Sequence, residues 1–164
     1  NCWHEAAGMK FVLDTNVVLD LLFWHDPRCD ALAAALAAGR VRCFTDAACL
    51  AELERVLAYP QFALDAAAQR ALLEGYRGLA ESAAESTADA ADSPPLELPR
   101  CRDADDQKFM ELAARCAADL LLTRDRELLR LARSRRRPPP FAILVPERAA
   151  ERFAAAPTAD KEAA

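Results

Sequence analysis

An α/β fold with a mainly parallel central sheet is what this sequence predicts, and three observations carry it. Short apolar runs of strand length alternate with segments of helical period along the chain, the pattern of a parallel sheet covered by helices. The first run, Phe11-Val12-Leu13, ends abruptly in a carboxylate, Asp14, and a helix-like pattern follows at once. A charged residue where a buried parallel strand meets its helix stands at the sheet's carboxyl edge, where open α/β sheets bind ligands. The length of 164 residues, with no internal repeat, suits one compact domain.

The elements follow in order. After the first strand, Thr15 or Asn16 is placed to cap a helix carrying Val17, Val18, Leu19, Leu21 and Leu22. Asp26-Pro27 breaks it. Residues 28–38 read as an alanine-rich helix closed by Gly39. Residues 41–45 are the second strand, and Asp46 caps a long helix in which Leu50, Leu53, Val56 and Leu57 recur at helical spacing, ended by Pro60. Residues 65–83 read as another helix, with Leu72, Leu73, Tyr76 and Leu79 on its apolar side. Residues 84–99 are a low-complexity connector. A helix over 104–117 turns Phe109, Met110, Leu112, Ala113 and Cys116 to the core, and 119–123 reads as the best buried strand in the chain. A helix over 126–134, a basic, proline-rich turn over 135–140, a strand over 141–145 and a short helix from Pro146 at its first position complete the domain. The domain is expected over 9–153, with 1–8 a non-native or disordered leader ahead of Met9 and 154–164 a frayed tail.

Composition excludes several classes. No apolar run approaches the ~18 residues that a membrane helix needs, and the first eight residues lack the basic start and apolar stretch of a signal peptide. The six cysteines form no C-x-x-C pair and meet neither histidine at zinc-like spacing, so free thiols in a reducing cytoplasm are expected. The net charge of −5 argues against a nucleic-acid binder at first sight. Its distribution argues otherwise: Arg124, Arg126, Arg130, Arg133, Arg135, Arg136 and Arg137 crowd one segment, while acids cluster at 103–106. Lysine is nearly absent beside arginine.

Strand direction brings four carboxylates together. In a parallel sheet each crossover helix runs back against the strands, so its N-terminus lies at their carboxyl edge. Asp14 ends the first strand, Asp125 follows the 119–123 strand, Asp106 stands in the first turn of the helix before that strand, and Glu52 lies near the second turn of the helix after strand two. Four such acids on one rim repel one another and raise pKa values. A divalent ion is the simplest neutraliser, and all-oxygen ligation suits Mg2+ or Mn2+. One or two such ions against a phosphate give phosphodiester hydrolysis, with no Ser, His or Cys nucleophile required.

Each residue also has a plainer reading. Asp14 and Asp125 suit helix caps, Asp103, Asp105 and Asp106 suit partners of a helix dipole at ~0.3–1 kcal/mol each, Glu54 competes with Glu52, and the arginines suit a solvated face. What separates the readings is coincidence, since independent caps need not share one rim.

Four segments, Leu13-Asp14-Thr15-Asn16, Glu52-Leu53-Glu54-Arg55-Val56-Leu57, Arg102-Asp103-Ala104-Asp105-Asp106-Gln107-Lys108-Phe109 and Leu122-Thr123-Arg124-Asp125, resemble in this order the PIN-domain family of metal-dependent ribonucleases. The resemblance covers about 10–153 and is nearest to VapC-like toxins of bacterial toxin–antitoxin pairs. It implies a three-layer α/β/α Rossmann-like domain, an acidic quartet of Asp14, Glu52, Asp106 and Asp125 that holds Mg2+ or Mn2+, and Asp103 as an accessory acid. It further implies that Thr15, Asn16 and Thr123 orient the first acid and the metal's water, and that RNA is the substrate. In many relatives it brings a homodimer and a cognate antitoxin. Arg124 departs from the pattern, where a small residue is common, and is placed to crowd the metal or to contact phosphate. Arg130, Arg133, Arg135, Arg136 and Arg137 are candidate phosphate contacts. Two other functions were open at this level. A non-catalytic RNA-binding or regulatory module would use the arginines alone. A haloacid-dehalogenase-type phosphatase needs a second Asp two residues after the first, where this chain has Asn16.

Overall fold

A computed structural model describes residues 8–83 and 97–155. Nearly all of the expected leader, most of the 84–99 connector and the tail from 156 lie outside the described residues. Within them, five parallel strands form one sheet in the order β3-β2-β1-β4-β5. These are β1 (Met9–Leu13), β2 (Val41–Thr45), β3 (Ala80–Ser82), β4 (Leu120–Leu122) and β5 (Ala142–Leu144). Seven α-helices are described: α1 (Thr15–Leu22), α2 (Asp30–Ala37), α3 (Ala47–Leu57), α4 (Ala66–Leu79), α5 (Gln107–Arg115), α6 (Arg126–Leu131) and α7 (Pro146–Ala155).

The strands alternate in which side chains they send to each face, and this builds two cores. Phe11, Leu13, Cys43, Leu120 and Leu122 point to one side, where they meet Val17 and Val18 of α1, Leu32 of α2, Leu53 and Leu57 of α3, Tyr76 of α4 and Phe153 of α7. Val12, Phe44, Leu121 and Ile143 point to the other, against Phe109, Met110 and Leu112 of α5 and Leu128 of α6. The result is the expected three-layer α/β/α sandwich. Among the described residues no helix is long and apolar enough to cross a membrane.

The chain steps outward from β1 to β2 to β3, then returns to the other side of β1 as β4. The order therefore reverses between β1 and β4, whose registers pair Phe11 with Leu120 and Leu13 with Leu122. The Asp14 N–H extends that ladder by one bond, donating to the Leu122 carbonyl at 3.0 Å. Ligand crevices of open parallel sheets lie at such a reversal, beyond the strands' carboxyl ends.

Aspartates start most of the helices. Asp46 accepts from the Cys49 N–H at 2.9 Å, Asp65 from Ala68 at 2.7 Å and Asp125 from Glu127 at 2.7 Å, each filling donors that a helix end leaves open. The cap of α1 is Asp14, which accepts from the Asn16 N–H at 3.2 Å, and not Thr15 or Asn16 as expected. Gly39 sits at φ 68°, the left-handed turn after α2 that a glycine takes without steric cost.

Two expected helices end early. The 65–83 segment stops at Leu79, where Ala80 turns extended (φ −107°, ψ 140°) and the next three residues become edge strand β3. Gly75 and Gly78 weaken the helix there, and pairing with β2 supplies the backbone bonds that the helix gives up. The 104–117 segment begins as a 3-10 turn, Ala104–Asp106, and stops after Arg115, because Ala117 at φ 52° lets the Ala118 N–H reach back to the Ala113 carbonyl at 2.9 Å. The 119–123, 126–134 and 141–145 elements are each trimmed at their ends.

The two kinds of contact in this sheet differ in worth. Leu121 is fully buried, so Leu121→Ala removes transfer energy and leaves a cavity, for a loss of about 2.7–5 kcal/mol in urea unfolding. Glu81 pairs with Arg42 at 2.8 Å on the exposed edge, and Glu81→Ala costs under about 1 kcal/mol in the same assay. A comparable loss from the two variants would contradict this account of the core.

Candidate functional site

The site lies where β1 and β4 end. Asp14 follows β1 and is 4 % exposed. As the cap of α1 its Oδ1 accepts the Asn16 N–H, and its Oδ2 accepts the Thr123 hydroxyl at 2.6 Å. That hydroxyl in turn accepts the Asp125 N–H at 3.0 Å. Thr123 is fully buried, so the bond from β4's end to β1's end is sealed from water. Asp125 spends Oδ1 on the Glu127 and Leu128 N–H groups of α6.

Asp106 enters from the second half of the chain. It closes the 3-10 turn that precedes α5 and makes no side-chain cap bond. Gln107 braces the turn: its Oε1 accepts the Cys101 N–H at 2.7 Å and its Nε2 donates to the Pro99 carbonyl at 3.3 Å. Asp103 accepts the Asp105 N–H at 3.0 Å and so shapes the same turn.

Electrostatics tie these acids into one cluster. Burial raises the Asp106 carboxyl to about 7, and the charges of Asp14, Asp125, Asp103 and Glu52 add to the rise. Asp14 is also raised, first by burial, with the Thr123 and Asn16 bonds opposing and the charges of Glu52 and Asp125 adding. None of the ion pairs among the described residues involves Asp14, Asp106 or Asp125.

Glu52 is different. Its Oε1 accepts the Lys108 ammonium at 2.7 Å, its Oε2 accepts the Thr15 hydroxyl, and Arg55 stands 3.9 Å away. Its side chain is 12 % exposed, whereas Glu54, on the other side of α3, is exposed. The geometry therefore brings Glu52 and leaves Glu54 out. Thr15 holds Glu52 rather than the first acid, because the first helical position faces α3. Asn16 serves Asp14 through its backbone alone, and of the three expected orienting residues only Thr123 does so by its side chain.

Arg124 points away from the acids. Its Nε donates to Asp20 of α1 at 2.6 Å and its Nη1 to Glu147 of α7 at 2.8 Å. It straps the Thr123–Asp125 segment to two helices, and neither crowds the rim nor reaches for phosphate as expected. Arg130 lies in the last turn of α6, and Arg133, Arg135, Arg136 and Arg137 in the segment leading to the start of β5. These five therefore stand toward the sheet's amino edge, opposite the acids.

Two residues escaped sequence reasoning. Lys108 was visible as one of three lysines in an arginine-rich chain, set inside the acidic segment. Gln107 gave no signal, since its partners are backbone atoms.

In chemical type the free donors suit a hard divalent ion. Both Asp106 oxygens and Asp125 Oδ2 are without a hydrogen-bond donor among the described residues, beside a desolvated Asp14, and oxygen-only sets suit Mg2+ or Mn2+. Among the described residues no three His, Cys, Asp or Glu side chains are drawn together as a metal-holding group.

Compared with known families, residues 10–127 match the model of the PIN domain. No curated protein matches the chain.

Two outcomes follow for the metal-free protein. A carboxyl whose pKa is raised on folding binds more protons folded than unfolded, so its contribution to stability is present below the ordinary 3.8 and is lost as pH rises to about 7. Asp106→Asn removes that loss. Discounted for the water that still reaches the residue, it gains about 1 kcal/mol at pH 8 in EDTA, or about 2–4 °C in Tm, and nothing at pH 4. Thr123→Val leaves the buried Asp14 without its hydroxyl donor and costs about 1.5–3 kcal/mol in chemical denaturation at pH 7.

Proposed function

The chain belongs to the PIN-domain family, whose fold is of the nuclease type, and from that premise we propose that it is a Mg2+- or Mn2+-dependent endoribonuclease that hydrolyses RNA phosphodiester bonds. The observation that carries this reading is the group of carboxylates without cations at the β1–β4 reversal, with Asp106 raised to about 7. A cluster that is electrostatically unfavourable when empty is matched to a cation and an anionic substrate.

In this reading Asp14, Asp106 and Asp125 hold the ion and Glu52 completes the quartet, with Asp103 as accessory acid. When bound, a divalent ion activates water and screens the charge that develops on the phosphate. The chain's own residues set the geometry. Thr123 fixes Asp14 Oδ2, and the Asn16 N–H fixes Oδ1, so the first carboxylate cannot rotate. The Asp125 N–H orients the Thr123 hydroxyl for that task. Gln107 and Asp103 keep Asp106 at the rim. The Arg130–Arg137 segment, standing at the far edge, would hold flanking RNA and not the scissile phosphate, which makes affinity salt-dependent.

The finer reading is a toxin of a bacterial toxin–antitoxin pair acting in the cytoplasm, with a cognate antitoxin and a homodimer. The order and spacing of the four motifs support it. A second reading is a catalytically weak RNA-binding module. It is favoured by Glu52, already occupied by Lys108 and Thr15.

Purified protein with Mn2+ is expected to cut single-stranded or structured RNA, EDTA to stop it, and Asp14→Asn to lower the rate by about 100-fold or more while folding is retained. RNA bound tightly without metal and never cut would establish the second reading instead.

A further inference from the structure

Building on the metal-dependent reading above, we propose that the site takes a single divalent ion and that the Lys108 ammonium occupies the place of a second. The four acids are not equivalent. Both Glu52 oxygens are engaged, one by Lys108 Nζ at 2.7 Å and the other by the Thr15 hydroxyl. Among the described residues, Asp106 and Asp125 keep oxygens without donors, and no ion pair reaches them or Asp14.

The Lys108–Glu52 pair is also shielded. The two side chains are 21 % and 12 % exposed, against 51 % and 60 % for the surface pair of Arg77 with Glu74. A charge-assisted bond kept from water resists exchange more than a solvated one. For an ion to take Glu52, the ammonium would have to leave and find water within a partly closed site. The three remaining acids face no such competitor.

Position gives the ammonium its task. Lys108 lies on the first turn of α5, two residues after Asp106, and its ammonium is held 2.7 Å from Glu52 of α3. The ammonium is therefore fixed against one of the four acids, Glu52. It has three N–H donors, of which Glu52 takes one. The remaining two make no hydrogen bond among the described residues, and a compact positive charge of this kind suits phosphate oxygens. In two-ion nucleases the second ion steadies the leaving oxygen of the phosphate. Lys108, anchored by Glu52, supplies that positive charge here, and Glu52 acts as its positioning residue.

Counting bound Mn2+ tests this. Equilibrium dialysis with electron paramagnetic resonance of the free ion, confirmed by titration calorimetry, would be run on the full chain, Lys108→Arg, Lys108→Met and, should the Met variant not fold, Lys108→Gln. The expected result is one ion in the native protein and in Lys108→Arg, and two in the variant lacking the cation, with the metal dependence of RNA cleavage steepening from first toward second order. Two ions in the native protein would overturn the inference and leave the metal-dependent reading standing, as would a folded Lys108→Met or Lys108→Gln that still binds one. No ion in the native protein would remove the metal-dependent reading, and the inference with it.

Discussion

The hydrogen bond from the Thr123 hydroxyl to Asp14 is the interaction on which the site depends. It joins the ends of β1 and β4, the two strands between which the sheet reverses its order. A carboxylate at 4 % exposure is costly unless its oxygens find donors. Asp14 finds one in the Asn16 amide, from its own helix, and one in Thr123, from a residue 109 positions away. The second bond forms only when β4 docks beside β1. The fold's topology and the first carboxylate's orientation are thus one event.

Around that bond the acids divide their work. Asp14 and Asp125 each give one oxygen to a helix N-terminus, so stability alone accounts for half of each carboxylate. Asp106 caps nothing and carries the rise to about 7. Its exposure to four other acids is a destabilising feature that folding tolerates because the two cores, rich in fully buried leucine, supply a surplus. The N-termini of α1 and α5, pointing their positive ends toward the rim, offset part of the repulsion. Glu52 differs in this scheme: its charge adds to the rise at Asp106, and it is itself paired with Lys108.

The rim is held from behind. Arg124 fastens the segment between Thr123 and Asp125 to α1 through Asp20 and to α7 through Glu147. Gln107 fastens the Asp106 turn to the backbone at Pro99 and Cys101. Both braces are polar side chains that never approach the acids' open oxygens. They hold in place the backbone on which Asp125 and Asp106 stand.

By itself the sequence determined the layered α/β fold, the strand cores and the placing of Asp14, Asp106 and Asp125 at the sheet's carboxyl edge. Each follows from local pattern: apolar runs of strand length, helical spacing, and the rule that a parallel strand's end and the next helix's start share an edge. Asp46 and Gly39 were legible for the same reason, since capping acts within a few residues. Tertiary structure decided what depends on distant partners. Glu52 and Glu54 are equivalent in sequence, and only the packing of α3 beside α5 turns Glu52 to Lys108. Thr15 and Thr123 look alike as polar neighbours of an acid, yet one serves Glu52 and the other Asp14. In sequence Arg124 suits either crowding the metal or contacting phosphate, and the packing of α1 and α7 gives it Asp20 and Glu147 as partners. The last turn of the 65–83 helix became β3 because an edge of β2 was open to it. Hydrogen bonds and ion pairs are short-ranged, so which partner a polar side chain takes is settled only once the helices and strands have been brought within about 3 Å of it.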